Sequence, residues 1–129
     1  VGATFPEKAV PDSIRGTLYA QPGKFGLESV SIANNGVHLS AGPFEAMFEI
    51  VNFFGKVLDL DLKEQSPLIL REMIGMGIDM EMALKSLDNP IITRTPKSID
   101  LFTATEDVDT EEAIALYRAF LTYAAYGFV

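Results

Sequence analysis

The chain is 129 residues long, with 48% hydrophobic and 22% charged side chains and no cysteine. Eighteen acids against ten bases leave a formal net charge of −8. The length is that of one domain. The charge opposes binding to nucleic acid or to an anionic membrane, and the lack of cysteine excludes a disulfide framework, a thiolate metal site and a cysteine nucleophile. Every apolar run is broken by charge well short of the 18 or more residues that cross a bilayer. No targeting segment is visible, which favours the cytoplasm. A mean hydropathy of +0.20 is high for a small acidic protein and hints at surface hidden in an assembly larger than a monomer.

Charge divides the chain. Residues 1–42 are neutral, with Glu7, Asp12 and Glu28 balanced by Lys8, Arg15 and Lys24, so residues 43–129 carry the whole −8. Because 42 residues bury little core alone, the expectation is a single domain over 1–129, with a β-rich neutral layer (1–42) and a mainly helical acidic layer (43–129).

The neutral layer reads as a three-stranded antiparallel meander. Residues 14–20 form the first strand, Gln21-Pro22-Gly23-Lys24 turns the chain, and residues 25–33 and 37–40 pair across Asn34-Asn35-Gly36. Asn-Gly is a strong hairpin signal, and with Asn35-Gly36 as the loop Ile32 faces Leu39 while Ser31 faces Ser40, so one face is apolar.

Residues 43–58 read as a helix opened by Pro43. Its polar positions Glu45, Glu49, Asn52 and Lys56 fall on one stripe of period 3.6, so the rest is expected to be buried. A second helical stretch spans 67–87, interrupted at Gly75 and Gly77, with Asp79 able to cap a fresh start. Asn89-Pro90 ends it. Two short strands follow at 91–95 and 99–103. Asp109-Thr110-Glu111-Glu112 fits a capping box, and the last helix runs to about Tyr126. The expected fold is therefore α+β: a small antiparallel sheet, made of the meander and the two later strands, packed against two or three apolar helices and a C-terminal helix.

Chemistry-bearing residues are few. His38 and Ser40 share a face of the third expected strand, yet i and i+2 start about 7 Å apart, too far for a direct hydrogen bond between nucleophile and base. A solvated histidine is the expectation. Glu106, Asp107, Asp109, Glu111 and Glu112 crowd five carboxylates into seven residues. They lack the glycine and glutamate of an EF-hand loop and read as helix-capping acids that could dock a basic partner. Met73, Met76 and Met80, with Met82, form an adaptable stretch suited either to a core or to a partner groove. No phosphate-binding glycine loop occurs, and no metal or other cofactor is expected.

The run Leu70-Arg71-Glu72-Met73-Ile74-Gly75-Met76-Gly77-Ile78, followed by Ala83-Leu84-Lys85-Ser86-Leu87, resembles the first two helices of ubiquitin-associated domains. It covers about 20 of 129 residues. Ile78 stands where the family carries Phe or Tyr, and the third helix is missing, since residues 89–93 read as turn and strand. A shared helix–turn solution is the expectation.

The last helix carries Tyr117, Phe120, Leu121, Tyr123 and Tyr126, and the chain closes on Phe128-Val129. So apolar a terminus must be covered, either within the subunit or against another. The expected function is a non-catalytic, homo-oligomeric assembly or protein–protein interaction protein, with those seven residues as interface candidates. One alternative is an acidic antagonist or immunity-type protein that binds a basic partner through residues 106–112 and the methionines. A second is a small-molecule binder or enzyme with a pocket near His38.

Overall fold

A computed structural model describes residues 1–59, 61, 66–93 and 97–126. The chain divides into two compact units, Val1–Leu39 and Ser40–Val129.

The first unit holds no strand. A 3-10 turn at Pro6–Lys8 leads to helix α1 (Ile14–Ala20), and a second 3-10 turn occupies Pro22–Phe25. The expected meander is corrected at each of its strands, for local reasons. Ser13 caps α1, its side chain accepting the Gly16 N–H at 3.1 Å, so Ile14 enters a helical turn and not a ladder. At Asn35 the side-chain Oδ1 accepts the Val37 N–H at 3.0 Å. That is the donor a two-residue hairpin needs across its loop, and this Asx turn replaces the hairpin. Residues 27–39 are irregular. The unit is tied together by Arg15, which is buried and donates to the carbonyls of Gly2 at 2.9 Å and Val37 at 3.2 Å.

The second unit contains the principal hydrophobic core and is mostly helical. Helix α2 (Pro43–Glu49) passes without a break into a π-helical turn (Ile50–Gly55) and a last α turn, α3 (Lys56–Leu58). The start is well built: Gly42 is extended, Pro43 takes the first position, and Glu45 accepts the Ala41 N–H at 2.6 Å. Gly42 also admits no side chain, because a Cβ there would run into the Thr105 carbonyl. Helix α4 (Leu68–Gly75) turns at Met76-Gly77 into α5 (Met80–Lys85), which Asp79 caps by accepting the Met82 N–H at 2.9 Å. The expected stretch over 67–87 is thus two helices and a 3-10 turn (Ser86–Asp88).

Two strands, β1 (Ile91–Thr93) and β2 (Ile99–Asp100), pair antiparallel with Ile91 opposite Asp100 and form the only sheet among the described residues. They are shorter than expected. Of the first, residues 94–95 lie outside the described residues; the second ends because Asp100 caps a new helix, α6 (Leu101–Ala104), by accepting the Thr103 N–H at 2.9 Å. That bond holds the Asp100 carboxyl below the ordinary carboxylate range. A two-stranded ribbon therefore stands where a larger sheet was expected.

Helix α7 (Thr110–Ala125) begins at Asp109, whose carboxylate accepts the Glu112 N–H at 3.0 Å. Asp109→Ala is expected to destabilise the second unit by about 1 kcal/mol, with Asp109→Ser recovering most of it. Denaturant unfolding followed by circular dichroism would check this. From α7, Ala113, Ile114 and Tyr117 enter a core shared with Phe44, Met47, Leu70, Met73 and Leu101. Phe44 meets Tyr117 edge-on, 5.3 Å between ring centroids, and the Tyr117 hydroxyl donates to the Met82 carbonyl at 2.8 Å.

Candidate functional site

His38 lies in an exposed, irregular segment and not on a strand. The Ser40 hydroxyl donates to Glu49 Oε2 at 2.5 Å, so it is bound to a carboxylate acceptor. Among the described residues, no group of three or more His, Cys, Asp or Glu side chains could hold a metal ion, and no helix is long and apolar enough to cross a membrane.

The interface candidates separate along α7. Tyr117 is buried in the core, Phe120 and Leu121 are half-buried against it, and Tyr123 and Tyr126 are exposed. Phe128 and Val129 lie outside the described residues. The rise in exposure follows the helix beyond the core: Tyr117 faces Phe44, whereas the last turn has no buried residue.

The methionines and the acids, read separately from the sequence, come together in part. Met73 is core, while Met76 and Met80 are half-buried. Met76 and Ile114 share a cavity of about 590 Å³ with Glu72, Asp109, Thr110 and Glu111. Three carboxylates thus stand over a thioether and an alkyl side chain. Glu106, Asp107 and Glu112 are exposed and do not line this cavity. Asp107 takes a left-handed backbone conformation, and its N–H donates to the Ala41 carbonyl at 3.0 Å. A second cavity of about 510 Å³ lies between the α4–α5 turn and the end of α7, with Ile78, Met82 and Leu121 against Asp79 and Arg118.

The most conspicuous surface is one that the helical period hides. The sequence predicts burial for nearly all apolar positions of 43–58. Phe44 and Met47 comply, but from Ile50 onward the helix runs outside the core: Phe54 is 57% exposed, Val57 78% and Leu58 59%. Ile50 and Phe53 are also more than two-fifths exposed. The π-helical turn supplies the reason. Its i→i+5 bonding turns less per residue than an α-helix, so positions after Ile50 are rotated away from the register that Phe44 and Met47 establish. Val51 of this segment is half-buried and packs against the core. At the foot of the segment, Ile50 and the exposed Leu68 border a recess of about 190 Å³ between α2 and α4.

Compared with protein-family models, curated proteins and solved structures, the chain matches none. The helix–turn–helix that resembles ubiquitin-associated domains is present as α4 and α5, followed by a 3-10 turn and strand β1 where those domains continue into a helix.

Proposed function

We propose that this chain is a non-catalytic assembly protein that associates with copies of itself. The observation that carries the proposal is the apolar surface of the second unit, from Ile50 to Leu58. Contiguous apolar patches of more than a few hundred Å² are uncommon on proteins that function alone, and they mark sites of association. Light scattering after size exclusion, at low and high salt, is expected to give a mass that is a multiple of 14.1 kDa in both. Salt independence follows from an apolar contact, which ions do not screen. A monomer at both salts overturns the proposal.

A second reading rests on the cavity that joins Met76 to Glu72, Asp109 and Glu111. Its apolar floor and anionic rim fit the alkyl stem and cationic head of a lysine side chain. Under this reading the chain binds an oligolysine peptide in a salt-sensitive manner, and Glu72→Gln with Glu111→Gln weakens that binding. Unchanged binding in the double variant counts against it.

A further inference from the structure

We infer that the self-contact is an isologous one, in which the face formed by Ile50, Phe54, Val57, Leu58 and Leu68 packs on the same face of a second copy, and that the exposed end of α7 is not the contact. This rests on the self-association proposed above and names the surface that performs it. Three observations converge on a second copy as the occupant. The first is charge. The chain carries −8, and a second copy repels it wherever carboxylates meet, but the stretch from Ile50 to Leu58 contains no acid and a single charge, Lys56. Its own side chains therefore bring no carboxylate to a like surface, with Glu49 and Asp59 flanking the stretch and Glu72 lining the neighbouring recess. The second is area. Side chains of this size cover roughly 150–200 Å² each when fully exposed, so the exposed fractions of these five leave roughly 500 Å² of apolar surface on one copy. A twofold contact doubles that to on the order of 1,000 Å², which reaches the lower bound for a specific interface before any flanking polar surface is counted.

The third is shape. A twofold interface is self-complementary, so a patch that offers both projections and a hollow is suited to it. Phe54, Val57 and Leu58 project from the helix, and the recess between α2 and α4, bordered by Ile50 and Leu68, lies at its foot. Pairing the two helices in opposite directions brings the projecting residues of one copy toward the recess of the other. The end of α7 offers less: Tyr123 and Tyr126 are exposed, but Ala124 and Ala125 between them add little area.

The absence of cysteine makes the test direct, because one introduced thiol is the only one present. Val57→Cys and Tyr123→Cys place single thiols on the two competing surfaces, both exposed. With a short bismaleimide, Val57→Cys is expected to convert to a covalent dimer and Tyr123→Cys to remain uncrosslinked. Phe54→Glu is expected to raise the dimer dissociation constant by about 100-fold, since a carboxylate would be buried at the centre of the contact. Phe54→Ser, measured beside it, is expected to weaken the dimer by a smaller factor. Phe54 is exposed, so both variants keep the fold, which far-ultraviolet circular dichroism verifies. A multimer that persists undiminished in Phe54→Glu, or that crosslinks through Tyr123→Cys and not Val57→Cys, overturns this inference and leaves self-association standing. A wild-type chain that is monomeric overturns both.

Discussion

Phe44→Ala is expected to remove about 3–5 kcal/mol from the stability of the second unit, read as a lowered urea midpoint with an unchanged slope. Phe44 is 0% exposed and lies edge-on against Tyr117, itself 1% exposed. Truncation forfeits the transfer free energy of the ring, the aromatic contact and the packing of the cavity wall. The wall is poorly placed to collapse, because Pro43 and the Gly42–Thr105 contact fix the backbone beside it. Typical domains are stable by only about 5–15 kcal/mol, so this one change consumes a large share of the margin. The same substitution ten residues along, Phe54→Ala, is expected to change the stability of the monomer by less than about 0.5 kcal/mol, because that ring is largely in water. A Phe44→Ala loss below 1 kcal/mol, or a Phe54→Ala loss comparable to it, would contradict the placement of the core.

That contrast also shows where sequence reasoning stopped. Pro43, Asp79 and Asp109 announce helix starts through chemistry confined to three or four residues, and the helices begin at those residues. The register that follows Pro43 is another matter. The spacing of Glu45, Glu49, Asn52 and Lys56 assumes 3.6 residues per turn throughout, and nothing in the local sequence announces the π-helical turn that breaks this period. One signal was available: nine apolar positions in a 16-residue helix exceed what one face of a small domain can cover.

In the first 42 residues two local signals compete at Asn35. Asn35-Gly36 favours a hairpin, but the same Asn35 carries an acceptor that can take the Val37 N–H, and it does so. Ser13 before Ile14 is a cap signal of the same kind as Asp79 and Asp109, and it opens a helix where a strand is expected. Asp100 likewise caps α6 and cuts short a strand that Ile99 and the residues after it favour. The cavity that joins Met76 to Asp109 and Glu111 was beyond reach for a different reason. Its parts lie more than 30 residues apart, and only the packing of α4 against the start of α7 brings them together.

Stability is expected to fall by up to about 2 kcal/mol as pH rises from 10 to 12, and Tyr117 is the source of that fall. Burial pushes the Tyr117 hydroxyl up to about 12 from its ordinary value of 10, with Asp79 and Asp88 adding repulsion toward a phenolate. In the folded chain the proton is retained, donated to the Met82 carbonyl; in the unfolded chain it leaves near pH 10. The unfolded state therefore binds fewer protons across this window, and stability decreases with pH wherever that holds. The contribution is complete below pH 10 and is lost as pH rises through about 12, and two pH units at 1.36 kcal/mol each bound its full size from above. Urea midpoints measured from pH 8 to 12 would trace it, alongside phenolate absorbance, where one of the four tyrosines ionises late. Tyr117→Phe is expected to be less stable by about 1 kcal/mol at pH 8, since it leaves the Met82 carbonyl without its donor. It should also abolish the late-ionising tyrosine and flatten the alkaline fall. An alkaline fall of equal size in Tyr117→Phe would place its cause elsewhere and would deny the Tyr117–Met82 bond its role in closing the core between α7 and α5.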